Sequence, residues 1–174
     1  VHRSIDNGTS WGQIGPQSTG NFTPLSTSRS NQGNYNLVIT STSNGEECII
    51  GGIDLWSWIH TPNSTDPTNG QWYAISGWWA SPSLPFYVHA DNHRLFWAND
   101  NTLIVGNDGG VQARFGSSGP NQFTSVINKG YSVTQFYSMG FGGDGSVIGG
   151  AQDNGTQYKD CLLYTSPSPR DGTK

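Results

Sequence analysis

Charged residues are scarce in this chain, at 11% of 174 positions, and cations are the scarcer class, with 8 Lys and Arg against 12 Asp and Glu. A net charge of −4 excludes the basic surface with which proteins bind nucleic acid. Apolar runs are short as well, and none approaches the ~18 residues that a membrane-spanning helix needs. We therefore expect neither a nucleic-acid partner nor insertion into a membrane.

Cysteine is almost absent, with Cys48 and Cys161 the two examples. Cys161 opens the string "CLLYTSPSPRD", which breaks the pattern before it and resembles the translation of a transposase-type sequencing adapter. The alternative is a Ser/Pro linker to another domain. We interpret residues 160–174 as an adapter-derived, non-native tail and residues 1–159 as the natural domain. Cys48 then stands alone, and no disulfide is inferred.

The composition is instead rich in glycine and aromatic residues, with 24 Gly, 7 Trp, 7 Tyr and 7 Phe. Together with abundant Ser, Thr and Asn, this is typical of a turn-rich all-β protein held together by aromatic side chains. We expect a soluble, exported protein. Because neither a methionine nor a hydrophobic leader precedes Val1, the chain reads as an internal fragment.

A repeat of about fifty residues organises the chain. Three segments each hold a β-branched run, glycines, an Asp and a second alternating run: "CIIGGIDLWSW" (48–58), "LIVGNDGGVQAR" (103–114) and "VIGGAQDNGTQYK" (147–159). A further strand candidate precedes each of them, at 36–42, 89–98 and 134–141, and weaker candidates follow the first two, at 71–78 and 123–127. Four strands repeating every ~40–50 residues predict the blades of a β-propeller. We expect four-stranded sheets over 36–78 and 88–128.

The stretch "SIDNGTSW" near the start reads as a polar hairpin turn. Ser4 and Asp6 are suited to accept hydrogen bonds from N–H groups of their own turn, Gly8 permits a positive φ, and Trp11 folds back beneath it. In the repeat, this turn joins the third and fourth strands of a blade. About two and a half blades cannot close a ring of the usual four to eight, so the remaining blades are expected outside this chain.

These motifs resemble a known family. "SIDNGTSW" resembles the Asp-box, or BNR repeat, and "HADNHRLFW…LIVGNDGGV…TQFYSMGF…GGAQDNGT" is similar to the secreted bacterial BNR-repeat propellers often labelled glycosyl hydrolase. Those proteins are in turn similar to sialidase, sortilin and xyloglucanase propellers. The resemblance extends to about Tyr158 and implies a β-propeller, but the Asp-box occurs in propellers of unrelated activity. We interpret Ser4, Asp6, Gly8 and Trp11 as structural.

Candidate functional residues lie on the opposite face of the predicted disc. The loops between the second and third strands of each blade carry acids and amides: Asp54, Asn107, Asp108, Gln152 and Asp153. Asp and Gly in such loops also serve turn geometry alone, and this structural role stays open for each Asp.

The stretch "HADNH" leads into the inner strand of the second predicted blade. Strand alternation places His89, Asp91 and His93 on one side. These residue types suit a divalent metal, but along one strand they spread over about 13 Å, too far for one ion without a bulge. A hydrogen-bond network between blades is the preferred interpretation, so neither a metal nor a cofactor is predicted. His89 and His93 remain candidate ligand-binding residues.

Aromatic residues mark the crossing from one blade to the next, "SGWWASPSLPFYVH". Trp78 and Trp79 are flat rings suited to stacking on sugars. Phe86 and Tyr87 are more suited to packing between the blades.

Two functions remain open from the sequence. The preferred one is a non-catalytic, glycan- or protein-binding propeller module of an exported bacterial protein, whose partner is a polysaccharide or a cell-surface ligand. The alternative is a glycoside hydrolase resembling xyloglucanase, with Asp91 and Asp108 as the paired carboxyl groups. Sialidase chemistry is not expected, because the arginine triad of that family finds no match around Arg3, Arg29, Arg94 and Arg114. Whether the protein is an enzyme is left undecided by the sequence.

Overall fold

The computed structural model describes residues 1–15, 22–25, 32–116, 123–124, 134–152 and 155–160. The chain forms two compact units, residues 1–131 and 132–174. Within the described ranges every regular element is a strand, and the strands form four antiparallel sheets. The prediction of an all-β fold is confirmed for the residues that the structure describes. No helix in these ranges has the length and apolarity to cross a membrane.

The first unit begins with a hairpin and a four-stranded sheet. The hairpin pairs β1 (His2–Arg3) with β2 (Gly12–Gln13). The first sheet holds four strands in sequence order: β3 (Val38–Ser41), β4 (Glu47–Gly51), β5 (Leu55–His60) and β6 (Gly70–Ala74).

The second sheet of this unit repeats the same arrangement. It holds β7 (Asn92–Asn99), β8 (Thr102–Asn107), β9 (Gly110–Phe115) and β10 (Phe123–Thr124), again neighbours in sequence order. The two sheets fall within the ranges that the repeat predicts, and β3 lies beside β7.

The second unit contains one three-stranded sheet. Its strands are β11 (Phe136–Phe141), β12 (Val147–Ala151) and β13 (Gly155–Lys159), in sequence order. These strands agree with the third copy of the repeat. Residues 161–174 lie outside the described residues, so the interpretation of the tail stays a prediction.

One predicted strand starts later than expected. β7 begins at Asn92 rather than at His89, because Asp91 has a left-handed φ of 64°, which ends the extended conformation. The pairing with β8 also shifts register between Asn92 and Arg94. His89, Asp91 and His93 therefore do not share one strand face, which corrects the prediction made from alternation.

Two hydrophobic clusters hold the first unit together. One joins the two sheets and contains Ile49, Leu55, Ile75, Val88, Leu103, Val105 and Phe123. The other packs the β1–β2 hairpin on the first sheet and contains Ile14, Ile50, Trp58 and Trp72. Burying each large side chain contributes about 1.5–3 kcal/mol. Because β4 supplies Ile49 to one cluster and Ile50 to the other, it is buried on both faces.

A buried ion pair also connects the two sheets. Arg114 on β9 donates from Nη1 and Nη2 to Glu47 on β4, at 3.0 and 2.9 Å. Ser57 Oγ donates to the same carboxylate at 2.6 Å, and the guanidinium lies over the Trp97 ring, 5.2 Å from its centroid. Arg114 is 1% exposed and Glu47 6%, so the charges compensate each other away from solvent.

Candidate functional site

The antiparallel order of the strands separates the connections of the first unit onto two edges. We call one the loop edge; it comprises residues 32–37, 52–54, 75–91 and 108–109. We call the other the turn edge; it comprises residues 4–11, 42–46, 61–69 and 100–101. Arg3 places the hairpin turn on the turn edge, since it donates to Pro67 O at 2.8 Å and to Gly45 O at 3.0 Å.

Asp54 connects two segments of the loop edge. Its Oδ1 accepts the backbone N–H of Trp78 at 2.9 Å and the hydroxyl of Ser76 at 3.3 Å. Burial raises the pKa of the Asp54 carboxyl, and these hydrogen bonds oppose the rise. Asp54 thus fixes the start of the tryptophan loop.

Asn107 organises the neighbouring loop. Its Oδ1 accepts the N–H of Gly109 at 3.0 Å, and its Nδ2 donates to Gln112 Oε1 at 2.9 Å. Gln112, which sequence reasoning missed, also accepts the N–H of His89 at 2.9 Å and donates to Tyr87 O at 3.1 Å. Gln112 is 3% exposed, so this network supports the loops from the interior, and a ligand contact of Asn107 stays a prediction.

Asp108 lies in an exposed polar cluster with two other residues. His93 Nε2 is 2.7 Å from Asp108 Oδ1, and the Tyr35 hydroxyl donates to Oδ2 at 3.4 Å. The rings of Tyr35 and His93 meet edge to face with centroids 5.1 Å apart. The sequence predicts two of these residues but not Tyr35, because its segment precedes the strands that carry the repeat.

Asp91 lies beside this cluster. Its Oδ1 accepts Nδ2 of Asn36 at 2.6 Å, and Asn36 also donates to Gln32 Oε1 at 3.2 Å. Asn36 is 1% exposed. The consecutive residues Tyr35 and Asn36 thus contact the two acids predicted as a catalytic pair, which brings both acids to the same segment.

His89 has a different environment from His93. Its Nδ1 is 3.1 Å from Ala90 O, and its ring packs so closely on Gly109 that a Cβ there would lie 2.5 Å from His89 Cγ. Asp91 and His93 have other partners, Asn36 and Asp108 respectively. In the described part of the chain, no group of three or more His, Cys, Asp or Glu side chains is arranged to hold a metal ion.

The tryptophan loop presents two rings to solvent. Trp78 is 48% exposed and Trp79 71%. Phe86 is half-buried, and its ring meets Trp79 at a centroid distance of 6.0 Å. Gly77 allows this packing, since a Cβ there would lie 2.5 Å from Phe86 Cε1. The loop therefore combines a packed base with an exposed indole pair.

The remaining predicted site residues lie in the second unit. The backbone N–H of Gln152 donates to Gln135 O at 2.8 Å, at the end of β12. Asp153 lies outside the described residues. Their participation in a site with the loop edge stays a prediction.

The Ser4–Trp11 turn is held by its own polar groups. Ser4 Oγ accepts the N–H of Gly8 at 2.8 Å, and Asp6 Oδ1 accepts the N–H of Ser10 at 2.9 Å. Trp11 Nε1 donates to Gly8 O at 3.1 Å. The Ser10 hydroxyl and backbone N–H, with Ser4, lower the pKa of Asp6 to about 2. These contacts are those of a self-contained turn.

Comparisons with known proteins do not narrow the function. No protein-family model, curated protein or solved structure matches the chain.

Proposed function

We propose that this chain is part of an exported, non-catalytic β-propeller module that binds a glycan at its loop edge. The observation that carries the proposal is the exposed pair Trp78 and Trp79, whose loop is anchored through Asp54 on the edge that also carries Asp91 and Asp108. Aromatic rings stack on the apolar C–H faces of sugars, and carboxylates accept hydrogen bonds from sugar hydroxyls.

The arrangement of the two four-stranded sheets supports a propeller. Each sheet is a meander of neighbouring strands, and both sheets contribute side chains to one apolar cluster. Their first strands, β3 and β7, are adjacent. Asn92 at the start of β7 donates its backbone N–H to Gly52 O of the first sheet at 2.7 Å. Consecutive propeller blades stack in this radial manner.

The polar contacts of the two candidate catalytic acids favour binding over catalysis. Glycoside hydrolysis needs one carboxyl group to donate a proton to the substrate and a second to act as base or nucleophile. The two Asp108 oxygens face His93 and Tyr35, and Asp91 Oδ1 accepts from Asn36. In these contacts the carboxylates serve as acceptors, and their remaining lone pairs can accept hydrogen bonds from sugar hydroxyls.

A binding screen of the full chain against polysaccharides tests the proposal. In the double variant Trp78→Ala/Trp79→Ala, affinity for a bound polysaccharide should fall by about tenfold or more, because two stacking surfaces are lost. The matched control is Trp11→Ala, which removes a ring that is 63% exposed on the turn edge. Its affinity should stay unchanged. Equal losses in both variants, or no glycan bound at all, would contradict the proposal.

The same screen distinguishes a binding module from a glycoside hydrolase. Release of reducing ends is measured for the native chain and for Asp91→Asn. Hydrolysis that disappears in Asp91→Asn while binding persists would make the protein an enzyme. We expect no hydrolysis in either protein.

A further inference from the structure

His60 has a hydrogen-bond acceptor at each of its ring nitrogens. Its Nδ1 is 2.9 Å from Glu46 Oε2, and its Nε2 is 3.1 Å from the backbone carbonyl oxygen of Asp66. An ionised carboxylate and a backbone carbonyl only accept hydrogen bonds, whereas a neutral imidazole has one donor and one acceptor nitrogen. The imidazolium, with two donors, is therefore the form of His60 that satisfies both contacts.

These two contacts join two segments of the turn edge. Glu46 is the last residue of the 42–46 turn, directly before β4. Asp66 lies in the 61–69 loop, which connects β5, ending at His60, to β6. His60 is 9% exposed, so solvent has little access to replace a hydrogen bond that its ring loses.

The acids of the neighbouring elements face His60 to different degrees. Glu46 contacts the ring directly. The Asp66 carboxyl has a lowered pKa, chiefly because of hydrogen bonds from Thr68, and the charge of His60 lowers it further. Glu47 on β4 belongs to the buried ion pair instead, and β6 places a glycine opposite His60.

Arg3 bridges the same two segments without depending on pH. It donates to Pro67 O at 2.8 Å and to Gly45 O at 3.0 Å, and an arginine guanidinium stays charged. Its Nη2 is also 4.0 Å from Glu46 Oε1, the carboxylate oxygen that does not contact His60. The two segments therefore have one constant bridge and one bridge that depends on a proton.

We propose that His60 is a proton-operated clamp between the 42–46 turn and the 61–69 loop. Histidine is the side chain whose charge ordinarily changes between about pH 5 and about pH 8. When the ring loses a proton, the remaining N–H keeps the charge-assisted bond to the Glu46 carboxylate, which is the stronger of the two, and the contact with Asp66 O is lost. The 61–69 loop is then held less tightly, so the turn edge responds to pH independently of any ligand at the loop edge.

Ring ¹⁵N spectra of the labelled full chain test the protonation of the clamp. At about pH 5 both ring nitrogens of His60 should carry a proton, and at about pH 8 Nδ1 alone should carry one. These spectra are recorded on the native chain, so they do not depend on the folding of a variant. A ring in the same protonation state at both pH values would overturn the proposal.

Hydrogen exchange tests the release of the loop. The amides of Thr68 and Asn69 donate to Oδ1 and to the carbonyl oxygen of Asp66. Between the same two pH values their protection, corrected for intrinsic exchange rates, should fall about fivefold. The Ser10 amide, which donates to Asp6, is the internal control. Its protection should stay constant, because the pKa of Asp6 is about 2.

Variants assign the response to one histidine. In His60→Gln the protection of Thr68 and Asn69 should no longer change with pH, because glutamine does not titrate. The matched control is His2→Gln, which removes an exposed histidine of the adjacent hairpin and should leave the native response unchanged. Equal pH responses in the native chain and in His60→Gln, or a response of the Ser10 amide as large as that of Asn69, would overturn the proposal.

Discussion

Glu47 and Arg114 are 67 residues apart in the chain, yet they form a two-point ion pair inside the first unit. The pair links β4 of one sheet to β9 of the next, and Ser57 and Trp97 complete its surroundings. The relative position of the two sheets, and with it the loop edge, depends on this contact as well as on the apolar cluster.

Breaking the pair on one side should be strongly destabilising. Glu47→Gln or Arg114→Met should each lower the free energy of unfolding by about 3–5 kcal/mol, because each leaves a buried group without its partner. The double variant should recover most of that loss, since it leaves no unpaired charge. Urea denaturation of the native chain, the two single variants and the double variant gives a double-mutant cycle. If the double variant lost the sum of the two single losses in free energy of unfolding, the account would be contradicted.

Asp6 should titrate far below an ordinary aspartate. Its pKa is lowered to about 2, with the Ser10 hydroxyl as the largest cause. A lowered folded-state pKa stabilises the fold above pH 3.8, and this contribution is lost as the pH falls toward about 2. A carbon-detected NMR titration should show the low midpoint, and Ser10→Ala should raise it. A native midpoint near 3.8 would contradict the turn geometry.

Asp54 should have the opposite pH dependence. Burial raises its pKa, so its ionised form is disfavoured in the fold, and stability present at acid pH is lost as the pH rises through the folded-state pKa. Asp54→Asn should therefore gain stability relative to the native chain between about pH 3 and about pH 7.

Asp66 serves as the control for Asp54, because its pKa is shifted in the opposite direction. Hydrogen bonds from Thr68 lower the pKa of Asp66, so Asp66→Asn should lose stability relative to the native chain over the same interval. Urea midpoints at both pH values give the comparison. The prediction would be contradicted if, between the two pH values, the urea midpoints of both variants changed in the same direction relative to the native chain.

Cys48 should be poorly reactive. Burial, with the neighbouring Glu47 charge, raises the pKa of its thiol to about 11, so the nucleophilic thiolate is scarce near neutral pH. In a Cys161→Ser background, alkylation at about pH 8 should be about a hundredfold slower in the folded chain than in urea. Equal rates in the two conditions would show that the thiol is open to solvent.

Local pattern was sufficient to predict the strands. Alternation and the Gly/Asp loops predict the strand pairs of both four-stranded sheets, and Ser4 and Asp6 accept backbone N–H groups as their residue types suggest. Contacts between distant segments were not predictable from pattern. In the sequence, Arg114 cannot be distinguished from an exposed charged residue near the end of a strand. Tyr35 lies in a segment that the repeat does not include.

The expected convergence of "HADNH" was wrong for a related reason. Alternation of side chains holds only where the backbone is extended. Asp91, one residue before β7, has a left-handed backbone conformation, so the alternation does not extend back to His89. Asp91 instead accepts a hydrogen bond from Asn36, a partner that the repeat pattern does not supply.

Hydrogen exchange of the full chain with and without a bound polysaccharide tests the central claim, glycan binding at the loop edge, most directly. The account predicts slower exchange at backbone amides of the loop edge, in residues 77–87 and 108–109, and unchanged exchange in the turn at residues 4–11 on the opposite edge. Protection concentrated in residues 4–11 and 61–69, or unchanged exchange in the tryptophan loop of a saturated complex, would contradict it.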